Sequence, residues 1–227
     1  MNLDLIRNII SKRAEYLLDK IRKEKIELRE VTFVVAGNSL NVTNRKTDID
    51  IFPTSLDYWN TLVETFKPYL IYCTKNAGTY KVGNETVQIC KYIYPTIEEL
   101  IKSFDYTHIQ VGVLITDIYI REVYFTEEYL ESKVIGNSNY VGSNYPLSSA
   151  IRAAKYKEYK ELSKGRMIYS MVSALTDVIK RGFKDYSDFK DQLDAVDLGL
   201  LPEDFEEFGK DKDNKLYTLF ELLRKDN

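Results

Sequence analysis

The sequence predicts a mixed, largely antiparallel α+β unit followed by a small all-helical unit. Three observations carry that expectation. Short apolar runs of strand character recur through the earlier part of the chain, among them Val31–Ala36, Tyr106–Ile115 and Ile118–Phe125. A hairpin signal, Gly83-Asn84, lies between two strand-like segments in TYKVGNETVQICKYIY. From Pro146 the pattern turns helical, in PLSSAIRAAKYKEYKELSK and RMIYSMVSALTDVIKRGF, after the Gly-, Asn- and Ser-rich stretch GNSNYVGSNY at 136–145. The expected division is therefore 1–145 and 146–227.

In order along the chain, Leu3 to Glu24 sets Ile6, Ile10, Leu17 and Ile21 at helical spacing and reads as an amphipathic helix. Charges run through its apolar positions, which argues against a secretory leader. The strand Val31–Ala36 enters a small-residue turn, Gly37-Asn38-Ser39, and a second strand follows over Asp48–Phe52. Pro53 and Ser55 open a helix whose apolar face is Leu56, Trp59, Leu62, Val63 and Phe66, with Ser55 as its N-cap. A strand over Tyr69–Thr74 precedes the hairpin, and Thr96 with Glu99 forms a capping box for a short helix ending near Ser103. Strands over Tyr106–Ile115 and Ile118–Phe125 complete the first unit. After the two long helices, SDFKDQLDAV, EDFEEF and NKLYTLFELL carry weaker helical patterns.

Cys73 and Cys90 sit inside apolar strand-like segments and read as reduced core residues. No apolar run approaches the roughly 20 residues of a membrane-spanning helix, so the expectation is a cytoplasmic protein with no membrane partner. A net charge of −3 removes any global attraction to nucleic acid. Locally the C-terminal half is polarised. Arg152, Lys155, Lys157, Lys160, Lys164 and Arg166 cluster against Glu158 and Glu161, whereas nine acids and one lysine lie between Asp185 and Glu207. Such runs are commonly solvated helix faces.

The chemistry-bearing residues gather around the first two strands. A strand alternates faces, so Asp48 and Asp50 project together while Ile49 and Ile51 project the other way. Two adjacent carboxylates repel, and are tolerated where both face water or where a cation lies between them. Gly37 lets backbone approach a ligand closely, and Ser39 can donate to a phosphate. Asp105, in SFDYTHIQVGV, is expected at the mouth of a later strand. Three carboxylates converging on one sheet edge suit Mg2+ or Mn2+, and two such ions clamp a triphosphate and an attacking hydroxyl for in-line displacement.

This order of strand, glycine turn with a nearby serine, D-x-D and later carboxylate resembles the signature of the DNA polymerase beta-like nucleotidyltransferase superfamily. Within it, AGNSLNVTNRKTDIDIF is most similar to the head of CCA-adding enzymes and bacterial poly(A) polymerases. IEELIKSFDYTHIQVGV is similar to a strand of virus- and phage-type members, and PLSSAIRAAKYKEYKELSKG to the helix after the head. The resemblance implies transfer of a nucleoside monophosphate from an NTP to an acceptor hydroxyl, with two Mg2+ or Mn2+ ions and pyrophosphate leaving. It implies that Asp48 and Asp50 bind both ions, and that Asp105 binds the catalytic ion and helps deprotonate the hydroxyl. It further implies that Gly37, Asn38 and Ser39 hold the β- and γ-phosphates, and that Arg152, Lys155 and Tyr156 face the nucleotide. The acceptor it favours is an RNA 3′ end, as of tRNA, along the basic helix 152–166, whereas overall acidity favours a protein or small-molecule acceptor. The sequence departs from the pattern twice. Asn38 stands where a second glycine or serine is usual, and Leu40-Asn41 where CCA-adding enzymes carry an arginine-aspartate pair.

His108, mid-strand by this reading, and Trp59 are expected in the core. Asp185, Asp188, Asp191, Asp194 and Asp197 drift around a helix, and Asp211-Lys212-Asp213 lacks the glycine and later ligands of an EF-hand loop; neither set reads as a metal site. The alternative function is a non-catalytic nucleotide- or partner-binding module that keeps the fold.

Overall fold

The computed structural model describes residues 2–41, 47–74 and 76–194. The helices expected over EDFEEF and NKLYTLFELL lie outside the described residues. The chain forms two compact units, Met1–Val134 and Ile135–Asn227.

The first unit opens with α1, Leu3–Lys23, capped by Asn2, whose side chain accepts from the amides of Asp4 and Leu5. Then come β1 (Thr32–Ala36), a 3-10 turn (Gly37–Leu40), β2 (Ile49–Pro53), α2 (Leu56–Phe66), β3 (Leu70–Cys73), β4 (Ala77–Val82) and β5 (Glu85–Cys90). Next are α3 (Ile97–Lys102), a second 3-10 turn (Thr107–Ile109), β6 (Val111–Thr116), β7 (Tyr119–Phe125) and α4 (Glu127–Ile135). Ser55 caps α2 and Thr96 caps α3, each accepting from the amide three residues on.

The strands form one sheet in the order β3-β4-β5-β2-β1-β6-β7. Neighbours are antiparallel except β2 and β5, which run parallel. This is the mixed, largely antiparallel α+β architecture that the sequence predicts. Alternation sorts the side chains. Phe33, Val35, Ile49, Ile51, Val87 and Ile89 meet Leu17, Leu18 and Ile21 of α1 and Leu62 and Phe66 of α2 in the main core. Each such side chain contributes about 1.5–3 kcal/mol on burial. The opposite face carries Val34, Ala36 and Phe52 under Ile97, Leu100 and Ile101 of α3. Gly112 lets α3 close on the sheet, because a Cβ there would stand 2.5 Å from Ile101 Cδ1.

Several expectations are corrected. The strand expected from Tyr106 begins only at Val111, because Thr107–Ile109 coils into a 3-10 turn closed by Gln110 N donating to Thr107 O at 3.2 Å. His108 is therefore in a turn, not mid-strand, though it is buried as expected. β2 starts at Ile49, so Asp48 lies just ahead of it. Cys73 is exposed, not core, because β3 is a sheet edge with all four residues exposed. Helix α4 was not foreseen; Thr126 Oγ1 starts it by accepting from Tyr129 N at 3.1 Å.

In the second unit, α5 (Pro146–Glu158), α6 (Lys164–Arg181) and α7 (Tyr186–Asp194) give the helical character expected after the sheet. Ser163 caps α6, and Gly182, with φ +62°, ends it. Gln192 Oε1 of α7 accepts from Leu147 N of α5 at 3.3 Å.

Candidate functional site

β1 delivers the chain to Ala36, whose register partner on β2 is Asp50. The next residue, Gly37, turns with φ +79°, a left-handed conformation that favours glycine. A Cβ on Gly37 would lie 3.5 Å from Asp50 Oδ2, an ordinary contact, so the backbone angle and not crowding requires the glycine. The turn and the carboxylate are thus immediate neighbours. Asp48 shares that neighbourhood: Gln88 Nε2 reaches its Oδ2 at 3.5 Å, and Gln88 is the β5 register partner of Asp50. Both aspartates are half-buried. On β5, burial pushes the Cys90 thiol well above its ordinary range, and the Asp50 carboxylate adds to the rise.

Asp105 is buried, 4% exposed, in the bend after α3 and not at a strand mouth. Its segment nevertheless comes to the glycine turn. The ring of Phe104 would stand 4.0 Å from a Gly37 Cβ. Gln110 Nε2 donates to Phe104 O at 3.1 Å, and Thr126 Oγ1 donates to Gln110 Oε1 at 2.9 Å. Asn41 makes the tie direct. Its Nδ2 donates to Asn38 Oδ1 at 3.1 Å and to His108 O at 3.0 Å, while its Oδ1 accepts from Tyr129 OH at 3.3 Å. One amide thereby fastens both 3-10 turns to α4.

Ser39 is fully buried, and its hydroxyl lies 3.4 Å from Ala36 O, so it points into the fold. Its carbonyl accepts from Arg13 Nε of α1 at 2.9 Å. Arg13 and Asn41 are positioning residues that the sequence motif does not mark. Arg13 has one faint signal, a cation three residues after Ile10 on the helix's buried side. Asn41 is marked only as a departure from the family pattern, because two of its three partners, His108 and Tyr129, are remote in sequence. Among the described residues, no group of three or more His, Cys, Asp or Glu side chains is gathered closely enough to hold a metal ion. Arg152, Lys155 and Tyr156 lie on α5 of the second unit; Tyr156 is buried, and Lys155 Nζ stands 5.8 Å over the Tyr159 ring. No described helix is long and apolar enough to cross a membrane.

Residues 8–133 match the model of a family described as Gabija anti-defense 2 family protein. No curated protein matches the sequence. Among solved structures, a CCA-adding enzyme in complex with CTP is similar over 92% of this chain and 55% of its own, at 13% identity and TM-score 0.49. The Thermotoga maritima CCA-adding enzyme complexed with tRNA is similar over 95% and 53%, at 12% identity and TM-score 0.44. A tRNA nucleotidyltransferase with a primer tRNA and an incoming ATP analogue is similar over 88% and 60%, at 13% identity and TM-score 0.44. The chain thus spans between 53% and 60% of the length of these proteins.

Proposed function

The chain belongs to the Gabija anti-defense 2 family, and from that premise we propose that its first unit is a metal-dependent nucleotidyltransferase. It moves a nucleoside monophosphate from an NTP onto an acceptor hydroxyl and releases pyrophosphate. The family's name points to the Gabija defence as what the reaction counters. One observation carries the reading: the left-handed Gly37 turn lies against Asp50, with Asp48 alongside. A triphosphate approaching that turn meets two carboxylates, and such a pile-up of negative charge is stable only with cations between them.

The residues fit that group. Carboxylate oxygens are the donors that Mg2+ and Mn2+ prefer, and the Gly37 turn lies against the Asp50 carboxylate. Asp48 and Asp50 would hold the ions. When bound, they would screen the triphosphate and acidify the acceptor hydroxyl. Gly37 and Asn38 offer backbone amides to the phosphates, and Ser39 supports the turn from within. Asp105, in the segment that Gln110 and Asn41 fasten at Phe104 and His108, would bind the catalytic ion and take up the proton at the acceptor oxygen. In the second unit, Arg152, Lys155 and Tyr156 are the residues that the motif likeness assigns to nucleotide contact, and the same likeness favours an RNA 3′ end as acceptor along the basic stretch 152–166.

A second reading, a nucleotide- or partner-binding module without catalysis, is equally compatible with the family match. Asp105→Ala separates the two. Under the first reading the variant binds Mg-ATP within a few fold of the parent by calorimetry and loses about a thousandfold or more of transfer rate. A parent that binds Mg-ATP and transfers nothing to RNA, protein or small hydroxyl acceptors establishes the second.

A further inference from the structure

On the α3 side of the sheet a groove of about 440 Å³ opens away from the carboxylate pair. Its floor is one cross-strand row, Phe52, Val34 and Leu114, and the next residue in that row is Glu122 of β7. Tyr92 and Tyr94 line it from the chain leaving β5, and Glu98 from the first turn of α3. Asp50 lies two residues back along β2 on the same face, about 7 Å away. Phe52, which lines the groove, stands ring to ring with Phe104 at 5.7 Å, and neither Asp48 nor Asp50 is among the lining residues. Nothing in the nucleotidyl-transfer reading uses the groove.

The lining selects its occupant. Among the described residues, no lysine or arginine lines the groove, and its charged members are Glu98 and Glu122. Glu98 is already engaged by Lys102 Nζ at 2.5 Å, so Glu122, exposed on β7, is the carboxylate left to choose a ligand. A carboxylate among tyrosines and apolar residues attracts a cation and disfavours a phosphate. The volume exceeds that of a lone ammonium or guanidinium and falls in the range of pockets that enclose a larger ligand, and the floor is apolar. We propose that this groove docks a partner polypeptide through an arginine or lysine side chain flanked by apolar residues.

The test uses the full chain and fluorescein-labelled hexapeptides of leucine and alanine carrying arginine, lysine, citrulline or glutamate at the third position, with binding read by anisotropy. Arginine or lysine peptides should bind about tenfold or more tighter than the citrulline and glutamate peptides. Glu122→Lys should remove that preference and Tyr94→Ala should weaken binding several-fold, with NTP binding unchanged in both. Equal binding of all four peptides, or an undiminished preference in both variants, overturns the proposal. So does free arginine binding as tightly as the arginine peptide, or a single-stranded RNA oligonucleotide displacing that peptide from the groove. Because NTP binding is read separately, failure here leaves the nucleotidyltransferase reading standing.

Discussion

Gly37 adopts a conformation that costs a residue with a Cβ about 1–2 kcal/mol, which is a large share of a domain's net stability. Gly37→Ala should lower the unfolding free energy read from urea denaturation by about that amount, and Gly37→Val by more, because a β-branched residue tolerates positive φ poorly. Both should weaken Mg-NTP binding in calorimetry; a Val variant that binds like the parent removes the turn from the phosphate site. Asn41→Ala removes the bonds to the buried His108 carbonyl and Tyr129 hydroxyl, at about 0.5–1.5 kcal/mol apiece. Its denaturation midpoint should fall accordingly. Cys90 titrates above its ordinary range when folded, so its proton stabilises the native state below the unfolded thiol value, and that stability is lost as pH rises beyond it. Cys90→Ala should therefore flatten the alkaline fall in stability. A thiol reagent at pH 8 should modify exposed Cys73 well before Cys90. At this scale the sequence announces Asp48, Asp50 and Gly37 by alternation and turn chemistry. It does not announce the burial of Ser39 or the span of Asn41, which depend on residues far along the chain.

Helix α3 is the element that closes one face of the sheet, and Gly112 is where it seats. A Cβ there would meet Ile101 Cδ1 at 2.5 Å and Val34 Cγ1 at 3.1 Å. Gly112→Ala should destabilise by about 1–3 kcal/mol through overpacking, and adding Ile101→Val, which deletes the nearer atom, should restore part of it. Additive losses in that double-mutant cycle would show that the helix does not rest on this contact. Strong local signals were legible: the Ser55 and Thr96 caps, the Gly83-Asn84 hairpin and α1 all stand where the pattern places them. The pattern extends the strand to Tyr106 because Tyr106, Thr107 and Ile109 all suit a strand, while the turn is fixed by Asn41 and Gln110. Helix α4 hid behind a weak apolar stripe among acids, and only its cap at Thr126 gave it a local start.

At the scale of the molecule, the sheet brings β1 and β2 side by side and so sets the glycine turn against the D-x-D strand, which is why the site's nucleus was readable before its scaffold. The central claim is that Asp48 and Asp50 serve transfer and not folding. Removing one of two neighbouring carboxylates relieves repulsion, so Asp48→Asn and Asp50→Asn should fold with unchanged or raised stability. The most direct measurement incubates parent and Asp50→Asn with each α-labelled NTP, Mg2+ or Mn2+, total RNA and host protein, and follows covalent label after removal of free nucleotide. The account predicts label on an acceptor with the parent, dependent on the metal, and none with the folded variant. Equal labelling by both, or none with a parent that binds Mg-NTP, would contradict it.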